Sequence, residues 1–440
     1  MRYYIWTAGC QMNVADSRRL ARSLENLGCE PAANIDDADI IVLNTCVVRQ
    51  SAEDKAIGRL SSLKSRKKQN PDLVINLMGC LVGVHGNPAL QKRFPWVDVF
   101  SAPSDPQPLL DFLANRQQAD QAHSWRQHID SLLDDEFGVA VAGEERAVSE
   151  NLPVVLGCSH ACAYCVIPLR RGRERSRDAQ RILRDARTFA SQGVREIVLL
   201  GQIIDRYGLD LPGSPHLPQL LASLSEIPEI KRLRFLTSHP NWMSDELIES
   251  VARLSKVMPH IEVPAQAGDD GILLAMRRGY TNQQYRDLVA KLRDRIPGVS
   301  IATDIIVGFP GETEAAFQNT YDLLADLRLD VAHLARYSPR PGTYSARELA
   351  DSVPAEEKMR RFRLLEDLQE GILRELNQPL LGTSVPVLFE YRLKGRWYGR
   401  TPTNRIVFTD SEEDLTGMER QVKIDWTGPW SLVGSLEPTQ

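Results

Sequence analysis

Short apolar runs alternate with amphipathic segments through most of this 440-residue chain. In the first third, Asp39–Asn44 and Leu73–Met78 are almost continuously apolar, and segments with helical spacing such as Asp16–Leu27 separate such runs. Strands buried on both faces have this composition, and helical connections make neighbouring strands parallel. The pattern therefore predicts an α/β protein in which residues 1–145 form a doubly wound parallel sheet.

A cysteine follows each of the first three predicted strands, at Cys10, Cys46 and Cys80. The carboxyl ends of parallel strands meet at one edge of a sheet, so we expect these thiols to lie close together. Three thiolates can hold an iron–sulfur cluster that lacks one protein ligand. The alternative is three separate structural cysteines, which is the role we expect for Cys29 at the end of a helix.

The middle of the chain, residues 146–376, contains six further strand–helix repeats. Such a run predicts a partial (β/α)6 barrel, whose active site is built by the loops that follow the strands. We predict these strands at Pro153–Leu156, Glu196–Leu200, Leu233–Thr237, His260–Val263, Ile301–Val307 and Val331–Arg336.

The loop after the first of these strands carries Cys158, Cys162 and Cys165 in the spacing C-x3-C-x2-C. Three thiolates on one short loop do not complete a tetrahedral zinc site, but they can hold three irons of a four-iron cluster and leave the fourth iron open. A zinc site completed by His160 or by a distant residue is the alternative.

This spacing, with Tyr164 before the third cysteine, resembles the signature of the radical S-adenosylmethionine (SAM) enzymes. The resemblance implies that Cys158, Cys162 and Cys165 hold a 4Fe–4S cluster and are the catalytic residues. In that family the open iron binds SAM, and an electron from the cluster cleaves SAM to a 5′-deoxyadenosyl radical.

Three motifs in the first domain are similar to those of the methylthiotransferases, a branch of that family: Gly9–Asn13, Asn44–Cys46 and Met78–Cys80. The resemblance implies a second, auxiliary 4Fe–4S cluster on Cys10, Cys46 and Cys80. Gly-Cys-Gln-Met-Asn resembles the branch that places a methylthio group on carbon 2 of isopentenylated adenosine, beside the anticodon in the anticodon stem-loop of tRNA. Related branches act on threonylcarbamoyl-adenosine or on an aspartate of a ribosomal protein.

The same resemblance implies that residues at the strand ends of the barrel bind SAM. The chain has Ile203 where the family usually has Asn, and Ala267 where it usually has Ser. The implied cofactor-binding residues are Tyr164, Gly201, Gln202, Ser238, Gln266, Thr303 and Asp304.

Residues 377–440 contain five short predicted strands, which is typical of a small antiparallel β-barrel of the OB-like kind. The segment resembles the RNA-binding TRAM domain in Gly399–Thr401 and Asn404. Its basic residues are interleaved with aromatic ones, a pattern that suits single-stranded RNA, although a solvated basic hairpin has the same composition. The candidate RNA-binding residues, including those after the second cysteine set, are Arg171, Arg173, Arg175, Arg396, Arg400 and Asn404.

Composition bounds the remaining choices. The net charge is −5, so any RNA site must be a local patch, and an odd number of cysteines, seven, argues against a disulfide framework. The chain start lacks the features of a signal peptide, and no apolar run approaches the length of a membrane span. We expect a cytoplasmic monomer that requires an electron donor and a sulfur donor or iron–sulfur assembly system. A non-catalytic RNA-binding regulator that senses oxidants through its clusters is the alternative from another class.

Overall fold

The computed structural model describes residues 1–47, 50–116 and 147–438. The chain divides into two compact units. The first contains Met1–Glu144, Asn151–His160 and Val166–Phe189, and the second contains Glu145–Glu150, Ala161–Cys165 and Ala190–Gln440. The domain boundary predicted at residue 145 and most of the 117–150 connector lie outside the described residues.

The first unit is built on a five-stranded parallel sheet with the strand order β2-β1-β3-β4-β5. Its two central strands are buried along their whole length, as their apolar sequences predict. The strands are β1 (Arg2–Thr7), β2 (Glu30–Pro31), β3 (Ile40–Thr45), β4 (Val74–Gly79) and β5 (Val99–Ser101). Sequence patterns missed β2 and β5 because two or three residues show no periodicity.

Helices pack on both faces of this sheet, and they are α1 (Gln11–Asn26), α2 (Gln50–Gln69), α3 (Pro88–Arg93) and α4 (Gln107–Asn115). One apolar cluster joins Leu43 and Ile75 of the sheet to Leu60 of α2. A second cluster joins Val42 to Leu24 of α1 and other apolar residues. The prediction of a doubly wound parallel sheet is confirmed.

Later segments of the chain also belong to the first unit. The strand predicted at Pro153–Leu156 is divided into the end of β6 (Ser149–Pro153), whose first two residues are assigned to the second unit, and β7 (Val155–Leu156). Strand β7 pairs with β8 (Arg175–Ser176) in antiparallel register. Between them lies the short helix α5 (Ile167–Arg171), and α6 (Ala179–Ser191) follows.

The strands of the barrel-like region in the second unit follow the predicted order. They form two three-stranded sheets, with the orders β10-β9-β6 and β11-β12-β13, and Leu233 bridges Val257 beside the first sheet. The strands are β9 (Glu196–Leu200), β10 (Arg232–Phe235), β11 (His260–Glu262), β12 (Ser300–Val307) and β13 (Val331–Arg336). The helices of this unit are α7 (Leu217–Ser225), α8 (Asp245–Arg253), α9 (Asp270–Ala275), α10 (Asn282–Arg295), α11 (Glu314–Leu327), α12 (Tyr344–Glu348) and α13 (Ala355–Asn377).

Five strands close the predicted small barrel after α13, in the order β14-β15-β16-β18-β17. Val387, Val407 and Val422 are fully buried in its core. The strands are β14 (Ser384–Leu393), β15 (Arg396–Arg400), β16 (Ile406–Thr409), β17 (Glu419–Thr427) and β18 (Leu432–Leu436). Within the described ranges, no helix combines the length and the apolar character needed to cross a membrane.

Candidate active site

The three cysteines of the first domain lie at the carboxyl edge of the five-stranded sheet, each directly after or near the end of a strand. Cys10 precedes α1, Cys46 follows β3 and Cys80 follows β4. The order 2-1-3-4-5 reverses direction between β1 and β3, and ligand sites of doubly wound sheets lie at such a reversal. The strand order therefore places the loops that carry these cysteines side by side at one edge of the sheet.

Two glycines let the cysteine loops approach one another. Gly9 has φ +135°, and a Cβ atom there would lie 2.5 Å from the Cβ of Cys46. Gly79 has φ +101°, and a Cβ atom there would lie 2.6 Å from the backbone oxygen of Thr45. Larger residues at either position would push the loops apart, which explains the Gly-Cys pairs of two of the three motifs.

Two buried asparagines connect the same loops. Asn13 accepts a hydrogen bond from Cys10 Sγ at 3.3 Å and donates to Asn44 Oδ1 at 3.0 Å and to the Thr45 carbonyl at 2.9 Å. Asn44 donates in return to the Asn13 carbonyl at 2.8 Å. The segments that carry Cys10 and Cys46, two cysteines that are 36 positions apart by subtraction of their numbers, are thereby joined by hydrogen bonds.

Arg171 completes this site. Its side chain is only 3% exposed, and Nη2 contacts Asp16 Oδ2 at 3.1 Å and Asn13 Oδ1 at 3.2 Å. Nη1 donates to Ser104 Oγ at 3.3 Å. This placement does not suit the predicted contact with RNA phosphate, because a buried guanidinium with these partners is not available to a macromolecule in solvent.

The electrostatics of the thiols reflect their closeness. Burial raises the pKa of Cys80 to about 11; the charge of Arg171 and a hydrogen bond from it act in the opposite direction, and the neighbouring Cys46 and Cys10 raise it further. Burial alone would lower the pKa of Arg171, but Asp16, Cys80 and Cys10 raise it. Arg171 is thus the cation that favours the thiolate form at this site.

The second cysteine set has a buried arginine of its own. In the second unit, Arg278 donates from Nη1 to Cys162 Sγ at 3.3 Å. Its Nε donates to the Tyr280 hydroxyl at 3.1 Å, and Nη2 donates to the Pro264 carbonyl at 3.2 Å. Sequence reasoning missed Arg278 because the surrounding segment, Met276–Tyr280, contains no motif that indicates a binding site.

Backbone bonds hold the cysteine loop in the second unit. Ala163 donates its N–H to the Met276 carbonyl at 3.0 Å, and its own carbonyl accepts from Ser345 N at 2.8 Å. Next to it, the Tyr164 ring packs edge-on against Phe309, with centroids 6.4 Å apart. Burial raises the pKa of Tyr164 well above its usual range, so the ring is a neutral aromatic surface beside Cys162 and Cys165.

Three of the polar residues predicted to bind SAM lie just after strands of the barrel-like region, as expected. Gln202, Ser238 and Gln266 follow β9, β10 and β11. Ser238 is 2% exposed, and its Oγ is buried without a hydrogen-bond partner in the structure. Gln266 has φ +69°, a strained conformation for a non-glycine residue. An unsatisfied buried hydroxyl and a strained strand end are features that fit a bound polar ligand.

Thr303 is placed differently from these three residues. It lies within β12 rather than after it and is fully buried. Its hydroxyl accepts from Ala265 N at 2.8 Å and from the Tyr285 hydroxyl at 3.1 Å. These bonds hold the loop after β11 in place, which gives Thr303 a structural role; its SAM contact stays a prediction. Asp304, the next residue, is partly exposed.

Sequence reasoning also missed Glu262, the last residue of β11. Burial, and after it the charge of Asp304, raise the pKa of Glu262 to about 7. A carboxyl with a raised pKa binds its proton more tightly in the folded chain. Its stabilising effect is complete below the ordinary value of 4.5 and is lost as the pH rises through about 7.

We therefore expect the protein to lose stability on the order of 1–3 kcal/mol between pH 5 and 8 through this group, and Glu262→Gln to remove that loss. Thermal unfolding of both proteins across this pH range measures the effect. Glu226→Gln, at an exposed position, is the control and should follow the wild-type curve. Parallel curves for wild type and Glu262→Gln would contradict the assignment.

With this geometry established, comparison with known proteins identifies the family. Residues 152–324 match the model of the Radical SAM superfamily, and residues 2–102 match the model described as Uncharacterized protein family UPF0004. The chain is 48% identical over 438 residues to a tRNA-2-methylthio-N(6)-dimethylallyladenosine synthase of Roseiflexus sp. (strain RS-1), covering 99% of this chain and 89% of the relative. The synthase of Chloroflexus aurantiacus is 46% identical over 98% of this chain and 91% of its own. The chain belongs to this synthase family. It is a radical SAM methylthiotransferase, as its motifs indicated.

Solved structures support the fold. The radical S-adenosylmethionine methyltransferase TsrM from Kitasatospora setae, with cobalamin and a [4Fe-4S] cluster bound, matches with a TM-score of 0.54 at 13% identity, covering 78% of this chain and 74% of that one. At this identity the match concerns architecture alone. Parallel sheets flanked by helices are therefore shared between the synthase family and distant members of the superfamily.

Membership of the synthase family makes the RNA-binding candidates worth placing individually. Arg173 and Arg175 are exposed, and with Arg19 and Arg171 they line a pocket of about 630 Å³ in the first unit. Arg396 is 48% exposed and pairs with Asp410 at 3.1 Å. These three arginines, at 173, 175 and 396, are accessible from solvent, as an RNA contact requires.

Arg400 and Asn404 are placed differently from those three arginines. The Arg400 side chain is 16% exposed and forms ion pairs with Glu196 and Glu390. Asn404 accepts from Arg400 Nη1 at 3.0 Å and lies 3.4 Å from His260 Nε2. Both residues connect the small barrel to the strands β9 and β11, which gives them a structural role at that junction; their RNA contact stays a prediction.

No three His, Cys, Asp or Glu side chains among the described residues are placed to hold one metal ion. A four-iron cluster takes each of three cysteines at a different iron, and its ligands lie farther apart than those of a single ion. Within the first unit, the strand-end cysteines with Arg171 and Asn13 suit such a group by donor chemistry.

Proposed function

We propose that this chain attaches a methylthio group to carbon 2 of N6-dimethylallyladenosine in tRNA. One arrangement supports the proposal: Cys10, Cys46 and Cys80 follow three neighbouring strands at one edge of the first sheet, in a chain that also carries the radical SAM loop. Two sites for iron–sulfur clusters are what a reaction needing both a radical and a sulfur source requires.

The cysteines divide the cofactors between them. Cys10, Cys46 and Cys80 hold the auxiliary 4Fe–4S cluster, and Cys158, Cys162 and Cys165 hold the cluster that binds SAM. When bound, SAM and the two clusters supply the radical chemistry and the methylthio group. The chain itself binds, orients and shields these groups.

The SAM contacts come from the strand ends of the second unit. The Ser238 hydroxyl is buried without a hydrogen-bond partner in the structure, so it can donate to an oxygen or nitrogen atom of a ligand. Gln202, Gln266 and Asp304 supply further polar groups, and Gly201 allows close approach of the ligand to the backbone. Tyr164 offers a neutral ring face beside the cysteine loop.

The RNA contacts come from accessible arginines and aromatic residues. Arg173, Arg175 and Arg396 bind phosphates, which supply dense negative charge even though the chain as a whole carries a net charge of −5. Trp426 and Trp430 of the small barrel are 53% and 61% exposed, and unstacked bases pack on such rings. The target adenine must leave its stack to reach an enclosed site.

Four further parts of the proposal concern partners and location. The reaction would need an electron donor for the SAM cluster and a sulfur donor or iron–sulfur assembly system for the auxiliary one. The protein acts as a monomer in the cytoplasm, where thiols remain reduced.

The substrate assignment predicts a strong preference for prenylated tRNA. The prenyl tail is apolar, and burying it in a pocket gives discrimination of about 1–3 kcal/mol, or roughly 10- to 200-fold, over unmodified adenosine. The reconstituted protein should be assayed anaerobically on tRNA from strains with and without the prenylating activity, and nucleoside mass spectrometry should identify the product.

A product on prenylated tRNA at least tenfold faster than on unprenylated tRNA supports the assignment. Equal methylthiolation of both, or a product only on threonylcarbamoyl-adenosine, would move the substrate to another branch. A protein that binds tRNA but consumes no SAM on any tRNA would instead match a regulator.

A further inference from the structure

Each cysteine set has one buried arginine beside it. In the second unit, Arg278 donates to Cys162 Sγ at 3.3 Å. In the first unit, Arg171 donates at 3.2 Å to Asn13 Oδ1, the same atom that accepts a hydrogen bond from Cys10 Sγ. Arg171 is 8% exposed and Arg278 is 5% exposed. No sequence pattern predicts that each cysteine set has its own buried arginine, because Arg171 lies in a basic run and Arg278 lies in an ordinary loop.

We propose that Arg171 and Arg278 are positioning residues for the two clusters, each fixing one cysteine and raising the reduction potential of its own cluster. The inference rests on the proposed function, because it takes the two cysteine sets to be cluster sites. It assigns to two further residues a role that the cysteines alone do not explain.

Arg171 follows the second cysteine set in the sequence but contacts residues beside the first set. It lies six residues after Cys165, by subtraction of their numbers, yet its partners Asp16, Asn13 and Ser104 all belong to the first domain. The segment that carries the SAM-cluster cysteines therefore also supplies the cation of the auxiliary site. One short stretch of sequence serves both sets of thiols.

One hydrogen-bond donor of Arg171 has no acceptor in the structure. Its Nε is buried and has no acceptor. An unsatisfied buried donor costs on the order of 1–3 kcal/mol, so its persistence calls for a partner. A cluster on Cys10, Cys46 and Cys80 carries acceptor sulfurs and negative charge, which would satisfy this donor.

Arg278 is satisfied differently. Besides Cys162, its hydrogen-bond partners are the Tyr280 hydroxyl and the Pro264 carbonyl, both neutral. Burying a guanidinium beside neutral groups is costly unless a negative charge accompanies it. The thiolates of a cluster on Cys158, Cys162 and Cys165 would supply that charge.

The expected direction of the effect follows from charge. Reduction adds one negative charge to a cluster, and a nearby cation or a hydrogen bond to its sulfurs stabilises the reduced form. Replacing either arginine by a neutral residue should therefore make the midpoint potential of that cluster more negative and leave the other cluster unchanged.

The auxiliary cluster is tested in full-length protein that carries Cys158→Ala, Cys162→Ala and Cys165→Ala, so that it is the single cluster present. Arg171→Gln and Arg171→Lys are compared with this parent by iron analysis and by a redox titration followed by electron paramagnetic resonance. The matched control is Arg177→Gln, which removes another buried guanidinium of the same segment, paired with Asp185 at 2.6 Å.

The SAM cluster is tested in the reciprocal background, with Cys10→Ala, Cys46→Ala and Cys80→Ala. There, Arg278→Gln and Arg278→Lys are compared, and the control is Arg361→Gln, a buried arginine that pairs with Glu312 at 2.6 Å. In each background we also introduce the other arginine variant, which should leave the potential in place.

The inference predicts a negative shift for Arg→Gln, a smaller shift with retained iron for Arg→Lys, and none for the controls. It is overturned if Arg→Gln keeps its iron and the parent potential, or if the control shifts equally. Should Arg→Gln lose its iron, Arg→Lys decides: retained iron supports the role, and loss of iron while the control stays loaded overturns it. A parent protein without any iron would instead remove the proposed function.

Discussion

Replacing Cys10, Cys46 and Cys80 by alanine is expected to abolish methylthiolation and remove about half of roughly eight irons per chain, while SAM cleavage continues. The three thiols follow three neighbouring strands at one edge of the first sheet, so their loss empties one site without touching the loop at 158–165. Reductive SAM cleavage needs only the other cluster.

The reciprocal triple variant, at Cys158, Cys162 and Cys165, should also lose about half of the iron but should release no 5′-deoxyadenosine. Anaerobic iron and sulfide analysis, together with chromatography of the SAM products, distinguishes the two variants. The pair of results assigns each cysteine set to its own step.

Cys29 provides the matched control. It is 4% exposed, belongs to the apolar cluster of the first unit, and burial raises the pKa of its thiol. Cys29→Ala should keep all of the iron and both activities. Full iron in the Cys10, Cys46 and Cys80 variant, or loss of SAM cleavage from it, would show that these thiols do not form a separate cluster site.

The placement of these three cysteines after neighbouring strands, at one edge of the sheet, could be predicted because topology alone determines it. Apolar runs joined by helices make a parallel sheet, and a parallel sheet places all its strand ends on one edge. The same logic located Gln202, Ser238 and Gln266, since each follows a strand. No side-chain detail was needed for either inference.

The ion-pair partners of the buried arginines could not be predicted from sequence patterns. Arg171 stands in a basic run, which from sequence suits phosphate binding, but its partner Asp16 lies 155 positions away by subtraction. Arg400 pairs with Glu196, which is 204 positions away. Whether a charged side chain faces solvent or a distant counter-charge depends on tertiary packing, and no local pattern encodes it. The structural hydrogen bond that the Thr303 hydroxyl accepts from Ala265 N could not be predicted for a related reason, because it also depends on tertiary packing.

Glu196→Gln is expected to lower the stability of the second unit by about 3–5 kcal/mol, the usual cost of leaving a buried cation unpaired. Glu196 is fully buried, and it pairs with Arg234 at 2.8 Å and with Arg400 of the small barrel. Burial alone would raise the pKa of Glu196, but Arg234 and Arg400 lower it to about 2. It is therefore a permanent anion at physiological pH.

The surroundings of Glu196 make its charge hard to replace. Arg234 also donates to the carbonyls of Thr401 and Pro402, each at 2.8 Å, so the strand β10 is tied to the small barrel by the same guanidinium. Burial, and then the charges of Arg234 and Arg400, lower the pKa of His260 to about 3. Glutamine at 196 would leave two arginines facing each other at this junction.

Thermal or denaturant unfolding should show the loss, and tRNA binding should weaken although no RNA-contacting residue is changed. Arg396→Gln is the matched comparison, because Arg396 is an exposed arginine of the same barrel. It should cost less than about 1 kcal/mol of stability, as surface ion pairs do, yet reduce tRNA affinity and its dependence on salt. If Glu196→Gln unfolds like wild type, the junction is not what fixes the small barrel in place. If Arg400→Gln matches Arg396→Gln in both stability and tRNA affinity, Arg400 belongs to the RNA surface.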